Sequence, residues 1–375
     1  MSEKPTLRAH VFATYGGGLA KQFPGERMVW DDVHFTFGMD LPDDADVLIV
    51  HIRASYSIPT HLPKERTVFI AGEPDVIHPY SKGFLDQFGI VVSPTEKALD
   101  TVKWQENYAS MWFVGVPFGE DAASKPVLGY DHWSALEVPE GKLDKISVVT
   151  SDKTSTDYHR RRLKFLERLK ELIPDRLEIF GRGIRSVDDK ADALLPYKYH
   201  LALENGGGPD TFTEKLSDPL LTWTFPFYAG CTNTERYIPE GARRVLDLDD
   251  PDGAARDMVA DIESGRWEAA LPDLRIARDA MLHEWNLAGL MARAARAAYE
   301  MPVAKPGQRH VIRSERSLWP EPGTRGSIPQ WAFRSLLLKI DPKIELRMHR
   351  FVEINERLKS ERRARRFARQ EGRNG

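Results

Sequence analysis

Short apolar runs, each closed by a turn, recur through the first 118 residues and restrict the possible folds more than any other feature of the chain. They are LRAHVFAT, ADVLIVHI, RTVFIAGE, FGIVVSPT and SMWFVGVPFG, and each is rich in β-branched or aromatic residues. Such runs are typical of buried strands in a parallel sheet. Several of the stretches between them are long enough for crossover helices, so we predict an α/β layer.

A second α/β pattern follows. The run KISVVTS precedes the helical segment YHRRRLKFLERLKELI, and then come the strand-like runs LEIFG, KYHLALEN and TFPFYAG, with a helix expected from about Phe212. This alternation is typical of a doubly wound nucleotide-binding domain, whose ligands lie beyond the carboxyl ends of the strands. A chain of 375 residues suits two such domains.

The composition shifts suggest where the domains end. We predict a first domain over residues 1–118, a linker over 119–144, a second domain over 145–300, and a connector with a basic amphipathic helical tail over 301–375. The tail from Arg347 onward carries ten Arg or Lys residues against four Glu, although the whole chain has a net charge of only -3. This asymmetry indicates an anionic partner, either membrane lipid or nucleic acid. The tail contains only two aromatic residues, Phe351 and Phe367, and this scarcity disfavours nucleic acid.

The single cysteine, Cys231, excludes an intramolecular disulfide and a cysteine-based zinc site. Its surroundings, AGCTN, contain no paired base, so a buried thiol is favoured over a nucleophile. The N-terminus shows no signal-peptide pattern, and no window reaches the roughly 18 apolar residues of a membrane span. We therefore expect a cytoplasmic protein.

The segment YKYHLALENGGGPDTFTEKLSDPLLTWTFPFYAG, residues 197–230, is the most chemically informative. A strand leads through a glycine loop to a helix start that carries Thr213, Glu214 and Lys215. Helix N-termini favour phosphate, so this arrangement could hold a ribose and a diphosphate. Two alternatives stay open: Thr211-x-x-Glu214 also fits a capping box, and Asn205 before three glycines also fits a turn.

This segment resembles the signature of glycosyltransferase family 10, the α-1,3/1,4-fucosyltransferases, in the bacterial type without a transmembrane anchor. The Glu-Asn pair, the Thr-Glu-Lys triplet, Asp218, Pro226 and Gly230 align with the family pattern without gaps. VVTSDKTSTDYHRRRLKFLERL, FIAGEPDVI and ERYIPEGARRVLDLDD are similar to further family segments, so the likeness extends over about residues 66 to 255.

The resemblance implies a GT-B fold of two facing Rossmann-like domains, the first binding the acceptor and the second the GDP-sugar. It implies transfer of L-fucose from GDP-fucose, with inversion, to a glycan hydroxyl, such as that of an N-acetylglucosamine-containing glycan or a cell-surface polysaccharide or lipopolysaccharide. Glu73 is the candidate base, with Asp75 as its local competitor. Residues implied to bind the donor are Arg162, Glu204, Asn205, Thr213, Glu214 and Lys215. Of these, Arg162 and Lys215 are expected at the diphosphate and Glu214 at the ribose.

Departures from the family pattern leave the donor sugar open. Thr211 replaces an aromatic residue, Gly206 a serine and Pro219 an alanine, and Trp223-Thr224-Phe225 replaces smaller residues. A family 10 enzyme with a different GDP-sugar is therefore one alternative. A nucleic-acid- or membrane-associated binding protein that acts through the basic tail is the other. We expect Pro219 to kink or shorten its helix, because proline cannot bond to the carbonyl four residues earlier.

No cofactor or metal is expected. Asp247-Leu248-Asp249 imitates the DxD metal motif of other glycosyltransferases, but it precedes a helix that Asp250 or Asp252 could cap. The expected partners are therefore a GDP-sugar donor, a glycan acceptor and an anionic membrane surface reached through residues 345–375. The last would place the enzyme peripherally at the inner membrane.

Overall fold

Two parallel sheets organise the chain, described here from a computed structural model. It describes residues 6–13, 18–75, 77–118, 126–150, 157–181, 185–304, 310–318, 328–341 and 343–348. The predicted tail beyond residue 348 lies outside the described residues.

The first sheet has seven strands in the order β2-β3-β1-β4-β6-β7-β8, parallel except for β2. Its strands are β1 (Leu7–Phe12), β2 (Val29–Trp30), β3 (Val33–Gly38), β4 (Val47–His51), β6 (Thr67–Ile70), β7 (Ile90–Val92) and β8 (Val102–Trp104). Four of the five predicted runs form strands here. All residues of β4, β6 and β7 are buried, as expected of strands covered on both faces.

The fifth predicted strand, SMWFVGVPFG, is wrong. Residues 110–118 are irregular, because their backbone groups bond to side chains of the second half of the chain. The amide of Phe113 donates to Asp218 Oδ1 at 3.1 Å, and the amide of Gly115 donates to Asp189 Oδ1 at 2.9 Å. An apolar run that makes these contacts does not need a neighbouring strand to satisfy its backbone.

The second sheet has five parallel strands in the order β10-β9-β11-β12-β13. They are β9 (Leu143–Val149), β10 (Leu177–Phe180), β11 (Tyr197–Gly208), β12 (Phe225–Cys231) and β13 (Arg244–Val245). The strand order reverses between β9 and β11, which is where doubly wound sheets bind ligands. β11 extends beyond the predicted KYHLALEN and passes through the three glycines.

The longer helices of the second half are α3 (Asp157–Leu172), α5 (Glu214–Leu221), α6 (Pro251–Glu263) and α7 (Arg266–Asp279). Shorter helices are α1 (Lys82–Leu85), α2 (Tyr130–Ala135) and α4 (Ala191–Leu194). α5 ends two residues after Pro219, in line with the expected shortening. Asp250 caps α6, because its carboxylate accepts from the amide of Gly253 at 2.9 Å.

The helix α8 (Leu287–Glu300) returns to the first sheet. Leu287, Leu290, Met291 and Ala294 are fully buried in the apolar core of that sheet, whereas α7 belongs to the core of the second. Trp112 and Trp133 belong to the second core, although they precede residue 145. The domain boundaries remain a prediction, and we propose that α8 belongs to the first unit and that Trp112 and Trp133 mark the start of the second.

The C-terminal part of the described chain also packs on the first sheet. β14 (His310–Ile312) pairs antiparallel with β5 (Ile58–Thr60), so the predicted connector contains a strand. The helix α9 (Ile328–Ile340) follows, and residues 344–348 are helical. No helix of the described residues is both long and apolar enough to cross a membrane.

Candidate active site

The strand β11 leaves its regular pairing at the point where the predicted donor residues occur. Leu203 pairs with Ala229 and Gly208 with Cys231, so β11 advances five residues while β12 advances two. Residues 204–207 lie opposite Gly230 alone and form a bulge, which re-aims side chains at a strand end. Glu204 and Asn205 are therefore directed by an irregularity of the backbone rather than by the pleat.

Glu204 holds the start of α5. Its carboxylate is buried and accepts hydrogen bonds from the amide of Thr213 at 2.8 Å and from the Thr213 hydroxyl at 2.6 Å. Burial raises the pKa of the Glu204 carboxyl, although Lys215 partly offsets the increase. A Cβ atom at Gly230 would overlap the Glu204 side chain, so this position requires glycine. Glu204 supports the helix start from below.

Thr213 is the N-cap of α5, with its hydroxyl facing the amide of Lys215 at 3.4 Å. The alternative capping box with Thr211 is not formed, because Glu214 is the first residue of the helix and the Thr211 hydroxyl donates to Pro209 instead. Thr213 therefore links Glu204 to the positive end of the α5 dipole.

A compact group of charges surrounds this helix start. Lys190 bonds to Glu214 at 3.3 Å and to Asp218 at 3.0 Å, and Lys215 bonds to Glu214 at 2.9 Å. Burial alone would raise the pKa of Glu214, but Lys190 and Lys215 together lower it to about 2. Glu214 is therefore ionised at neutral pH.

Asp218 joins this group to the segment 110–118. It is buried, and its carboxylate accepts from Lys190 and from the amide of Phe113. Burial raises the pKa of Asp218 more than Lys190 lowers it. The Phe113 ring lies 5.2 Å from the Lys190 ammonium, a cation–π contact. We refer to Lys190, Glu204, Thr213, Glu214, Lys215 and Asp218 as the donor-side cluster.

Arg162 lies beneath the bulge of β11, on α3. Its Nη1 donates to Asn205 Oδ1 at 2.7 Å and to the Leu203 carbonyl at 3.4 Å, while Nε and Nη2 are buried with no hydrogen-bond partner among the described residues. Its neighbours Arg160 and Arg161 are instead exposed and pair with Asp157 and Asp249. The arginine run is thus divided between solvent and the site.

Glu73 reaches the same place from the first sheet. It lies three residues beyond β6 and is half-buried, and burial raises its pKa. Lys215 lowers and Glu214 raises that pKa, so the charges of the helix start act on Glu73 across the two halves of the chain. Its local competitor, Asp75, bonds to Thr95 and Lys97, at 2.7 Å each.

Two residues between the sheets escaped the sequence analysis. Tyr108 is fully buried, its hydroxyl has no partner among the described residues, and Glu204, Glu73 and Glu214 all act on its pKa. Its neighbour Asn107 donates to the carbonyls of Phe212 at 2.8 Å and Asp210 at 3.2 Å. No local sequence pattern marks Asn107 and Tyr108 as contacts between the two halves of the chain. The same is true of Lys190, which lies directly before α4.

The remaining candidates have structural partners. Asp249, of the DxD-like sequence, pairs with Arg161 at 2.6 Å, and Asp247 accepts from the amide of Asp249. Within the described ranges, no group of three or more His, Cys, Asp or Glu side chains is placed to hold a metal. Cys231 is buried, and burial raises the pKa of its thiol, as expected of a packed side chain rather than a nucleophile.

Comparison with known proteins finds a family that residues 140–255 resemble. Residues 140–255 match the family model described as glycosyltransferase family 10 (fucosyltransferase), C-terminal part. The matched segment contains all five strands of the second sheet. The resemblance drawn from the sequence is therefore confirmed over the family 10 segment, which contains the whole donor-side cluster.

A solved structure confirms the predicted GT-B architecture. The chain is similar to a crystal structure of an α1,3-fucosyltransferase with GDP, with a TM-score of 0.50, 15% identity, and coverage of 82% of this chain and 94% of that chain. A second α1,3-fucosyltransferase structure, with GDP-fucose, matches with a TM-score of 0.46, 15% identity, and coverage of 80% and 93%. In the GT-B arrangement the family 10 segment supplies one wall of a cleft, and the first sheet supplies the other.

Proposed function

We propose that this chain is an inverting fucosyltransferase that transfers L-fucose from GDP-fucose to a hydroxyl of a glycan. One observation carries the proposal: a half-buried carboxylate, Glu73, lies within electrostatic reach of Lys215 and Glu214 at the start of α5. Transfer needs a base on the acceptor side and cationic groups on the side of the leaving diphosphate. Glu73, the candidate base, lies on one wall of the cleft, and the cationic groups lie on the other.

In the proposed reaction Glu73 accepts the proton of the acceptor hydroxyl as its oxygen attacks the anomeric carbon of fucose. The bond from that carbon to the β-phosphate oxygen breaks, and GDP leaves with the electron pair. Burial raises the pKa of Glu73 and so strengthens it as a base in its ionised form. Attack from the face opposite the diphosphate inverts the anomeric configuration.

The donor-side roles follow from position. We propose that Lys215, Arg162 and the amides of the α5 N-terminus offset the charge that builds on the diphosphate. Arg162 is buried beside Asn205, so it would act on the diphosphate through its charge. Glu214 and Asn205 would accept or donate to donor hydroxyls, while Thr213 and Glu204 hold the helix start in place. These cationic groups need no metal, so activity should persist in EDTA.

The test is a donor screen. We expect GDP-fucose to be hydrolysed slowly without acceptor and to raise the thermal midpoint, whereas UDP-glucose should do neither. GDP-mannose serves as the comparison for the alternative that Gly206 and Thr211 motivate, namely another GDP-sugar. Absence of any response to GDP, GDP-fucose and GDP-mannose would refute both the fucosyltransferase proposal and the alternative of another GDP-sugar.

We also propose that the enzyme works at an anionic membrane surface from the cytoplasmic side, on lipid-linked or cell-surface glycans. The helix α9 supports this, because Phe333, Leu336 and Ile340 project one apolar stripe that is more than half exposed. The sequence that follows carries the excess of arginine. A basic segment beside an exposed apolar helix face is typical of interfacial binding.

Vesicle sedimentation tests this part. Phosphatidylglycerol vesicles should retain the chain and phosphatidylcholine vesicles should not, and Phe333→Asp should weaken retention while leaving turnover of GDP-fucose intact. Salt-sensitive binding to DNA with no lipid preference would favour the nucleic-acid alternative instead.

A further inference from the structure

A cavity of about 570 Å³ lies between the first sheet and the C-terminal part of the described chain. One wall is formed by Phe12, residues 39–41, Asp43 and β5, and the other by His310, Asp341, Lys343 and Leu346. A volume of this size is typical of sites for small molecules or sugar units. Neither the family 10 segment nor the donor-side cluster contributes to it.

The cavity lies at the same edge of the sheet as Glu73. Phe12 is the last residue of β1, and Met39 follows the end of β3, so the cavity adjoins the carboxyl ends of these strands. Glu73 follows the carboxyl end of β6, with β4 between β1 and β6. Two strand spacings separate β1 from β6 by about 10 Å. This is comparable to the length of a disaccharide.

The far wall is fixed to the near wall by a buried carboxylate. Glu345 accepts from the amide of Ser57 at 2.7 Å and from the Ser314 hydroxyl at 3.2 Å, and the amide of Ser314 donates to the Ser57 hydroxyl at 3.1 Å. β14 adds antiparallel pairing to β5. The position of Asp341 and Lys343 across the cavity is therefore built into the packing rather than being a chance approach of a surface segment.

The lining combines apolar surface with groups that bind hydroxyls. Three carboxylates, of Asp40, Asp43 and Asp341, stand against one ammonium, of Lys343. Arg347 pairs with Asp341 at 2.8 Å at the margin. The His61 and His310 rings also line the cavity, and the Nε2 atom of each is buried without a hydrogen-bond partner among the described residues. Carboxylates and imidazoles bind neutral hydroxyl or amino groups, and the excess of carboxylates repels anions.

We propose that this cavity is the acceptor site, and that it takes a neutral or amino-bearing sugar and rejects acceptors that carry carboxylate or phosphate there. The inference rests on the proposed transferase function. It adds a substrate class and assigns Asp43 and Asp341, from opposite walls, as specificity-determining residues. The C-terminal segment then has a recognition role besides any contact with a membrane.

The experiment uses an array of immobilised glycans that includes neutral, amino-bearing, sialylated and phosphorylated members. The full-length chain, fluorescently labelled, is applied without donor to measure binding, and then with GDP-fucose to measure transfer. Neutral or amino-bearing glycans should bind and be fucosylated. Asp43→Lys and Asp341→Lys should each weaken both signals about tenfold or more on these glycans, because each removes a hydrogen-bonding anion and adds a cation.

Asp44→Lys is the matched control. Asp44 is the exposed neighbour of Asp43, pairs with Arg8 and does not line the cavity. This variant should match the wild-type chain, and both lysine variants should keep wild-type hydrolysis of GDP-fucose, which shows that they are folded and bind donor.

Three outcomes would overturn the inference: unchanged glycan preference in both Asp43→Lys and Asp341→Lys, a wild-type preference for acidic glycans, or no glycan signal from a chain that hydrolyses GDP-fucose. Failure of the proposed function looks different. In that case GDP-fucose is not turned over, but donor-free binding to the array still depends on Asp43 and Asp341.

Discussion

The two walls of the cleft are built in different ways. In the donor-side cluster every charged side chain bonds to another member, and Glu204 and Asp218 are buried. Glu73, on the opposite wall, is half-buried and makes no hydrogen bond to another described residue. Charges that bond to one another hold a fixed shape, whereas an unpaired carboxylate is free to meet a substrate proton. This difference supports the proposed division of roles, in which the donor-side cluster positions the donor and Glu73 takes the acceptor proton.

The largest effect is expected from Glu73→Gln, which tests the difference between the two walls. The glutamine keeps the shape but cannot accept a proton, so we expect transfer to fall by about 100-fold or more. GDP affinity, measured by isothermal titration calorimetry, should stay within about twofold, since the donor wall is intact. Asp75→Asn, which alters the neighbouring carboxylate, should transfer at a nearly normal rate. Normal transfer by Glu73→Gln would remove Glu73 as the base.

On the donor wall, Glu204→Ala should damage stability and donor binding together. It leaves the Thr213 amide and hydroxyl without their buried acceptor, so we expect unfolding in urea to become about 2–3 kcal/mol easier. Glu178→Ala, on strand β10 at the edge of the same sheet, removes a carboxylate that pairs with Lys145 and Arg185. This control substitution should lower the free energy of unfolding by less than about 1 kcal/mol. Equal losses in the two variants would contradict the supporting role of Glu204.

The pH dependence of stability tests the roles of Glu214 and Asp218 in the donor-side cluster. The pKa of Glu214 is lowered to about 2 from 4.5, so its contribution to stability is present above pH 4.5 and is lost as the pH falls towards 2. The difference in unfolding free energy between the wild-type chain and Glu214→Gln should be about 2–3 kcal/mol at pH 7 and narrow on acidification. Urea titrations from pH 7 down to pH 3 measure it.

Asp218→Asn should show the opposite trend. Because the pKa of Asp218 is raised, its contribution is present below its ordinary value and is lost as the pH rises through the raised one. The difference in unfolding free energy between the wild-type chain and Asp218→Asn should therefore become smaller as the pH rises towards neutrality. Parallel trends in the two variants would show that the two carboxylates share one environment.

The smallest effect is expected where the walls meet. Asn107→Ala removes the donors to the carbonyls of Asp210 and Phe212 and should cost about 1–2 kcal/mol. Because Asn107 precedes Tyr108, transfer should fall a few-fold more than donor binding does. Proteolysis of the 105–118 segment should become faster, and an unchanged cleavage rate would show that this contact does not join the walls.

Much of the donor wall could be predicted because it is contiguous. Strand, bulge, loop and helix occupy residues 197–221, so the residues that meet in space are also near in sequence. The donor contacts of Glu204 and Thr213 stay predictions, whereas the hydrogen bonds between these two residues at the start of α5 are visible only in the folded structure. Lys190 and Asp218 complete the cluster through a pairing between separate elements, which spacing does not reveal.

The sequence by itself determined the α/β class, the positions of most of the longer strands, the effect of Pro219 on its helix and the resemblance of residues 140–255 to family 10. Periodicity and local motifs specify these features over short stretches of chain. Tertiary structure decided the rest. Residues 110–118 look like a strand but bond to Asp189 and Asp218, and α8 continues the second half but packs on the first sheet. Burial and charge act between segments far apart in the chain, so only the folded molecule brings Glu73 to Lys215 and Asp341 to Asp43.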